Sequence, residues 1–446
     1  MSEPKTSRRH FIGQAAAAAA LAGLSSAARG QTRAPGVKLN IAGIGIGGMG
    51  GGNLARLAGE NIVALCDVDP NYAAGTVAKF PQAKFYTDYR ELLTQQKDLD
   101  AVVIATPDHT HAVIAAAAMR AGKHVYCQKP LTHAVWEARQ LAAIAAETKV
   151  VTQMGIQGHS GGGIRKICEW IWAGAIGEVR SVDAWCSLSY YPWGHAGWSS
   201  SWGTRPTETM PIPKGMDWNL WLGPAPERPY HRAYHPATWR CWWDFGVGMM
   251  GDRGAHTLDA AFWALKLGAP SSIEATSCGL NPETHPLSAI VTYRFPAREG
   301  LPPVKLTWYE GTRPPRPEEL PDDLDLPGEG GLIFNGSEGR IVGGVYANNP
   351  FLLPQALHDS YKRPEPTLPR VPEENHEMDW VRAIREGGKA GADFAYSGPL
   401  TEVCLLGNVA KRLDARIDWD AAGLKVTNRE DAAAWIKVPY RDGWSL

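Results

Sequence analysis

The stretch VKLNIAGIGIGGMG, residues 37–50, joins an apolar run to a run of glycines. The apolar part predicts a β-strand over residues 37–46, and the sequence behind the glycines predicts a helix over residues 51–57. Glycines between a strand and a helix are typical of a dinucleotide-binding turn, because the bare backbone approaches a pyrophosphate and the helix N-terminus faces its charge. The stretch therefore predicts a nucleotide-binding domain.

Two registers of the glycine motif fit this stretch. The strand continues through Ile44, which favours the later register, with the tight turn at Gly45, the pyrophosphate at Gly47 and close helix packing at Gly50. The predicted cofactor-binding residues of the turn are Gly45, Gly47, Gly48, Met49 and Gly50.

Asp67 follows a second apolar run, residues 62–66, where the next strand of the sheet would end. A carboxylate at this position accepts hydrogen bonds from an adenosine ribose. The residues beside it, Val68, Asp69 and Pro70, include no arginine or lysine to receive a 2′-phosphate. The sequence therefore predicts NAD rather than NADP as the cofactor.

Apolar runs and helical stretches alternate over residues 37–155. The run at residues 101–105 is nearly all apolar, as is typical of a parallel strand covered on both faces. The alternation predicts a doubly wound parallel sheet, the Rossmann fold. Residues 156–446 form a predicted second α+β domain, with β-runs at residues 178–188, 272–278, 289–295 and 304–309.

Two loops at predicted carboxyl ends of parallel strands would line the ligand crevice of such a sheet. The first contains Thr106 and Pro107, with His111 behind them, and the second contains Gln128 and Lys129. A lysine at a strand end beside a cofactor acts as an acid, a base or a hydroxyl clamp. A second histidine lies nearby, but no third partner completes a metal site, and we predict none.

Residues 1–30 are typical of a removable twin-arginine export signal. Arg8 and Arg9 open the segment, an alanine-dominated apolar run follows, and small residues end it. The run is too short to span a bilayer. An alanine-rich helix that stays attached is the alternative interpretation. We expect a periplasmic or secreted protein without a stable membrane anchor.

Charge and cysteine content exclude some classes of partner. The formal net charge is −1 and no basic stretch is present, so nucleic acid is not an expected partner. The seven cysteines are an odd number without a Cys-x-x-Cys pair, which argues against a zinc site and a dense disulfide framework. Such thiols suit a protein that folds in a reducing compartment before export.

The order of these motifs resembles the glucose–fructose oxidoreductase / inositol dehydrogenase (Gfo/Idh/MocA) family. The resemblance rests on the glycine run and on Thr106-Pro107 with His111, Lys129-Pro130, and Asp252 with His256. It implies an NAD-dependent oxidoreductase whose second domain is built on a large, mainly antiparallel open sheet. A homo-oligomer is the expected assembly.

Asp252 and His256 are four residues apart, which places them on one face of a helix. To oxidise an alcohol, a base takes the hydroxyl proton as hydride leaves carbon, and histidine has a suitable pKa. The carboxylate would orient the substrate or the imidazole, and Lys129 would polarise the alcohol oxygen. Without the resemblance, a buried structural Asp–His pair is the alternative. The family's usual Glu-Lys-Pro is Gln128-Lys129-Pro130 here, which removes a negative charge beside the lysine.

Tryptophan is concentrated in the second domain, where eleven of the eighteen fall between residues 170 and 243. Aromatic rings stack on the apolar faces of sugars, and indole N–H groups bind hydroxyls. The alternative is that the rings fill a core or an oligomer interface. The predicted substrate contacts are Tyr191, His195, Trp243 and Asp244.

Two functions compete. One is an NAD-dependent oxidoreductase acting on a sugar, cyclitol or related polyol. The other is an NAD-dependent glycosidase that oxidises a hydroxyl transiently, eliminates the aglycone, adds water and returns the hydride, with Tyr191, His195 or His159 as acid or base. A non-catalytic sugar-binding protein is a third interpretation. Because an exported enzyme has nothing outside the cell to reoxidise NADH, we predict a tightly bound cofactor that is recycled within the site.

Overall fold

The computed structural model describes residues 36–190 and 197–446. The strands of its first sheet are β1 (Asn40–Ile44), β2 (Asn61–Cys66), β3 (Lys84–Tyr86), β4 (Ala101–Ile104), β5 (His124–Gln128) and β6 (Thr152–Gly155). They are all parallel and lie in the order β3-β2-β1-β4-β5-β6. The order reverses between β1 and β4, so the loops behind these two strands open a crevice at their carboxyl ends.

Five helices connect the strands of this sheet. They are α1 (Met49–Arg56), α2 (Pro70–Val77), α3 (Tyr89–Gln95), α4 (Asp108–Arg120) and α5 (Val135–Thr148). Strand β4 is buried along its whole length, as expected of a parallel strand with both faces covered. Helix α1 begins at Met49, two residues before its predicted start, because packing against β1 and β4 overrides the poor helix propensity of glycine.

The second sheet has nine strands. They are β7 (Val179–Cys186), β8 (Ser272–Cys278), β9 (Ser288–Phe295), β10 (Val304–Glu310), β11 (Gly330–Gly336), β12 (Arg340–Gly344), β13 (Phe351–Leu353), β14 (Arg416–Asp420) and β15 (Lys425–Val426). Their order is β13-β12-β11-β7-β10-β9-β8-β14-β15. Every pair is antiparallel except β7 with β10.

The remaining helices are α6 (Gly162–Trp172), α7 (Trp218–Leu222), α8 (Ala255–Ala264), α9 (Gln355–Ser360), α10 (His376–Glu386), α11 (Phe394–Leu413) and α12 (Ala433–Ile436). A π-helical turn, Met250–Gly254, directly precedes α8. Helices α8 and α11 pack on the second sheet. The predicted fold class, a Rossmann domain followed by an α+β domain with a mainly antiparallel sheet, is therefore confirmed.

Helix α10 crosses from the second half of the chain to the first sheet. Its buried Trp380 and Ile384 share a core cluster with Ile41 and Leu54. The first sheet is thus completed by a helix that follows it by more than 200 residues in sequence. This long-range packing joins the two halves of the chain into one body.

Six of the seven cysteines are buried and all are free thiols, with Cys278 exposed. None of the helices in the part of the chain that the structure describes is long and apolar enough to cross a membrane. Within the same residues, no group of three or more His, Cys, Asp or Glu side chains is placed to hold a metal ion.

Candidate cofactor crevice and active site

The glycine turn between β1 and α1 has the geometry of the later register. Gly45 has a positive φ of +77°, and a Cβ on it would lie 2.6 Å from the backbone nitrogen of Thr106. A Cβ on Gly50 would collide with the carbonyl oxygen of Gly45, and one on Gly47 would collide with the ring of Tyr72. Helix α1 also begins without a side-chain cap. No side chain therefore competes with the diphosphate of a dinucleotide for its N-terminal N–H groups.

Asp67, at the end of β2, directs its carboxylate under the glycine turn. Its Oδ2 accepts hydrogen bonds from the N–H groups of Ile46 at 2.8 Å and Gly47 at 3.1 Å. Its Oδ1 accepts one from the N–H of Asp69 at 3.0 Å. Burial raises the pKa of Asp67 to about 6, although these hydrogen bonds oppose the rise. The oxygens keep lone pairs for ribose hydroxyls, whereas a 2′-phosphate would be repelled, so the site fits NAD.

Residues of both domains line the crevice. The first domain contributes most of the predicted cofactor-binding residues, namely Gly45, Gly47, Gly48, Met49, Asp67, Thr106, Pro107 and Gln128. The second domain contributes Trp198, Leu220, Trp221, His235, Trp239, Arg240 and Trp444. The second domain therefore covers the crevice at the carboxyl ends of the parallel strands.

Residues 214–240, which we name the cover segment, form much of the second-domain wall. His235 Nε2 lies 2.8 Å from Asp69 Oδ2, and the N–H of Asp217 donates to the carbonyl of Val68 at 2.9 Å. Both contacts fall on the loop that follows Asp67 in sequence. The cover segment is thus fastened to the first domain beside the predicted ribose site.

Lys129, Asp252 and Tyr190 form a contiguous polar cluster beside Gln128. Lys129 Nζ contacts Asp252 Oδ1, and the Tyr190 hydroxyl donates to Asp252 Oδ2. Lys129 follows β5, Tyr190 follows β7, and Asp252 lies in the π-helical turn before α8. π-Helical turns are frequent at functional sites. The structure thus brings two of the three predicted catalytic residues into direct contact.

His256, the third predicted catalytic residue, lies in the first turn of α8. Its buried ring packs edge-on against Tyr346, with ring centroids 4.7 Å apart. Its Nδ1 has no hydrogen-bond partner among the described residues. Burial, together with the charges of Lys129 and Arg253, lowers the pKa of His256 well below its ordinary value. The neutral ring can hydrogen-bond a hydroxyl, but such a low pKa makes it a poor proton acceptor.

Lys129 has the electrostatic environment of a proton acceptor. Burial lowers its pKa, Arg240 and Arg253 lower it further, and Asp108 opposes them. Burial conversely raises the pKa of Asp252. A catalytic base works best when its pKa is near the working pH. These shifts favour Lys129 over His256 as the base, which differs from the sequence-based assignment.

Gln128 is held by a buried hydrogen-bond chain. Its Nε2 donates to Asn53 Oδ1 at 3.1 Å, and Asn53 Nδ2 donates to Glu377 Oε1 at 2.6 Å. Glu377 belongs to α10 and is buried. The amide nitrogen therefore points to Asn53. The family usually has a carboxylate at position 128, and here the carboxylate of Glu377 lies at the end of this hydrogen-bond chain.

Trp243 and Asp244, two of the predicted substrate contacts, lie outside the crevice in a second cavity. The Trp243 ring packs on His285, with centroids 3.6 Å apart. Asp244 contacts the buried guanidinium of Arg228. The structure therefore does not bring these residues to the site, because the aromatic run around them packs into the fold instead.

His111 lies beneath the crevice rather than in it. Its ring nitrogens are 2.8 Å from the carbonyl oxygen of Pro130 and 2.9 Å from that of Thr106, and burial lowers its pKa to about 4. It ties the two crevice loops together. His159 lies 3.0 Å from Asp259, away from the Lys129 cluster. The other two predicted substrate contacts, Tyr191 and His195, lie outside the described residues.

Two residues of the site escaped the sequence analysis. Tyr190 is adjacent to the predicted Tyr191, so the aromatic pair was the available signal. Arg240 lies between the rings of Trp198 and Trp239, at 4.4 Å and 4.2 Å from their centroids. Its place among tryptophans in the sequence was the available signal, since aromatic faces hold cations.

A bare glycine turn, a carboxylate at the end of β2 and a lysine–aspartate cluster beside the crevice define a dinucleotide-dependent oxidoreductase. Comparison with known proteins agrees. The Gfo/Idh/MocA oxidoreductase family profile for the NAD-binding Rossmann fold matches residues 39–156, and its C-terminal alpha/beta domain profile matches residues 188–294. Together the two profiles cover about half of the chain. The chain belongs to the Gfo/Idh/MocA family of NAD-binding oxidoreductases, which confirms the family, the enzyme class and NAD.

Individual relatives match over shorter stretches. Inositol 2-dehydrogenase from Salmonella paratyphi B is 36% identical over 147 residues, which are 31% of this chain and 43% of that protein. Levoglucosan dehydrogenase from Pseudarthrobacter phenanthrenivorans is 30% identical over 117 residues, 26% of this chain and 30% of that protein. The match thus spans less than half the length of these relatives.

The fold extends further than this sequence identity. The WlbA dehydrogenase from Bordetella pertussis, solved with NADH and UDP-GlcNAcA, superposes with a TM-score of 0.59. The superposition covers 86% of this chain and 99% of that one at 17% identity. At this identity the likeness establishes a shared two-domain fold.

Proposed function

We propose that the protein oxidises a hydroxyl group of a sugar, cyclitol or related polyol, with NAD as the hydride acceptor. The observation that carries this proposal is the contact of Lys129 with Asp252, directly behind Gln128, which lines the same crevice as the glycine turn. The names of the relatives, inositol and levoglucosan dehydrogenases, support a polyol or carbohydrate substrate.

Proton transfer falls to residues of this chain. Oxidation removes a proton from the substrate oxygen while hydride leaves carbon for the nicotinamide. Neutral Lys129 accepts that proton, since burial and two arginines lower its pKa. Asp252 holds the lysine in place and, with its raised pKa, can share the proton. His256 hydrogen-bonds the substrate oxygen through its neutral ring.

Lys129→Met tests this role, because methionine keeps the length and removes the amine. We expect the variant to bind NAD like the wild type but to lose more than 100-fold in the rate of NADH formation with inositol, levoglucosan or glucose. Stopped-flow absorbance at 340 nm measures the rate. Lys123→Met is the matched control, since Lys123 binds the carbonyl of Leu99 at 2.8 Å, far from the crevice loops. Equal rates in wild type and Lys129→Met would refute the assignment.

A redox-neutral glycosidase is the second candidate, and Tyr190 is the observation that favours it. Elimination and hydration need one more acid or base than simple oxidation, and the Tyr190 hydroxyl bonds directly to Asp252. Tyr190→Phe would then abolish release of an aryl aglycone but leave oxidation of a free sugar within about tenfold. Failure of the wild type to release any aglycone in deuterated water would exclude this candidate.

The export signal predicted at residues 1–30 supports a location outside the cytoplasm and a resident cofactor. Fractionation of a twin-arginine expression host, with Arg8→Lys and Arg9→Lys as the blocked form, tests the location. Export of the wild type together with bound NAD, and retention of the blocked form, is the expected result. A wild-type protein that stays cytoplasmic would contradict it.

A further inference from the structure

Among the described residues that line the crevice, Arg240 is the only lysine or arginine. It follows the cover-segment tryptophan Trp239, and its guanidinium lies between that ring and the ring of Trp198. Aromatic faces fix a cation in place without neutralising its charge. Arg240 therefore presents a fixed positive charge to the crevice.

The guanidinium has unused hydrogen-bond donors. Its described hydrogen bond joins Nη1 to the carbonyl oxygen of Ala237 at 3.1 Å, and no carboxylate within residues 36–190 and 197–446 forms an ion pair with it. Residues 191–196 contain no Asp or Glu either. Arg228, by contrast, contacts Asp244 and lies 3.4 Å from Glu283. Of five N–H donors on an arginine, most remain available at Arg240 for an anion.

Arg240 lines the same crevice as Gly47 and Tyr72. Its charge lowers the pKa of Lys129 and opposes the rise in the pKa of Tyr72. Tyr72 packs against the glycine turn, at Gly47. The arginine and the glycine turn therefore face one cavity.

The glycine turn itself brings no cation. Residues 45–55 contain no lysine or arginine, and Arg56, at the end of α1, is directed to Glu377 at 4.0 Å. A helix N-terminus supplies only about half a positive charge, against two negative charges on a dinucleotide diphosphate. A cation on the side that faces the second domain would therefore strengthen the binding of the diphosphate.

We propose that Arg240 binds the cofactor diphosphate from the side opposite the glycine turn. The proposal rests on NAD binding at the crevice and adds a residue of the second domain to the cofactor site. The bound dinucleotide then bridges the two domains, and it leaves only when the cover segment moves away. This arrangement would explain how the cofactor stays bound through the catalytic cycle.

Titration calorimetry on nucleotide-free protein tests the proposal with NAD⁺, ADP-ribose and adenosine as ligands. We expect Arg240→Gln to raise the Kd for NAD⁺ and ADP-ribose about 10- to 100-fold, the range typical of a charge-assisted hydrogen bond. Adenosine, which lacks the diphosphate, should bind equally to variant and wild type. Arg240→Lys, which keeps the charge and loses the fork, should fall between them.

Arg412→Gln is the matched control. Arg412 also lies between two tryptophan rings, those of Trp243 and Trp435, but in the second cavity. Its removal should leave the Kd for NAD⁺ unchanged. An unchanged Kd for NAD⁺ in Arg240→Gln would overturn the proposal, as expected if the arginine instead served an anionic substrate. An equal loss of adenosine and NAD⁺ affinity would also overturn it, because the effect would not depend on the diphosphate. Wild-type protein that binds no NAD⁺ would refute the proposed function itself.

Discussion

Replacing Asp67 with asparagine tests two effects of this carboxylate, its contribution to NAD affinity and its effect on the free energy of unfolding. Burial raises its pKa from 3.8 to about 6, so the folded state binds the proton more tightly than the unfolded state does. A raised carboxyl pKa makes the free energy of unfolding decrease as the pH rises from about 4 to about 6. At about 1.4 kcal/mol per pKa unit, the ionised carboxylate destabilises the fold by about 3 kcal/mol at neutral pH.

The variant removes this pH dependence. We expect the unfolding free energy of Asp67→Asn, measured relative to wild type, to increase by about 2–3 kcal/mol between pH 4 and pH 7. Urea unfolding of nucleotide-free protein at a series of pH values measures it. Only the change with pH is informative. The amide nitrogen of the asparagine would face the N–H of Asp69, and this repulsion destabilises the fold by the same amount at every pH. A difference that stays constant across this pH range would refute the argument.

The same variant should bind NAD poorly. Ribose hydroxyls that donate to a charged acceptor are each worth about 1.5–3 kcal/mol, so we expect the Kd for NAD⁺ at pH 8 to rise about 10- to 100-fold. Calorimetry checks the value. A variant that is stabilised at pH 7 and keeps wild-type affinity would show that Asp67 does not face the ribose.

Three further outcomes follow from the site. Gln128→Glu places a negative charge beside Lys129 and should raise the pKa of the lysine. The acidic limb of the pH profile of kcat/KM should therefore move to higher pH. A limb that does not move would contradict the assignment of Lys129 as the base. Trp243→Phe should change kcat/KM less than about twofold, as its ring lies in the second cavity, and a steady-state assay showing a larger loss would return it to the substrate site. Gly50→Ala should lower the Tm and the affinity for NAD, because the new Cβ would collide with the carbonyl oxygen of Gly45. Gly52→Ala should instead stabilise α1 by about 0.5–1 kcal/mol, because a Cβ there has nothing within 4 Å. Equal Tm values for the two variants in thermal unfolding would contradict this packing argument.

The first domain was predictable because its signals are local. Each apolar run specifies a strand and the glycine run specifies a turn, each within a few residues. Asp67 was predictable for the same reason, because it is the first residue after an apolar run. Lys129 and Asp252 were predicted as residues of one catalytic site, and the structure places them in contact.

What the sequence missed depends on long-range packing. Nothing near Trp380 indicates that α10 returns to the first sheet, since its partners in that sheet lie more than 200 residues earlier. A tryptophan run looks alike whether it lines a crevice or fills a core, which is why Trp243 was misplaced and Arg240 overlooked. Burial among positive charges, which the sequence does not show, lowers the pKa of His256, and for this reason Lys129 is the base in the proposed mechanism.

Isotope transfer tests hydride chemistry at the Lys129 site most directly. Wild-type protein with bound NAD⁺ is mixed with inositol or glucose deuterated at every carbon, quenched within milliseconds, and its nucleotide is analysed by mass spectrometry. We predict one deuterium on the nicotinamide ring in the wild type and in Lys123→Met, and none in Lys129→Met. Nucleotide that stays free of deuterium in the wild type, with NAD⁺ bound and every polyol of the panel tried, would contradict the account.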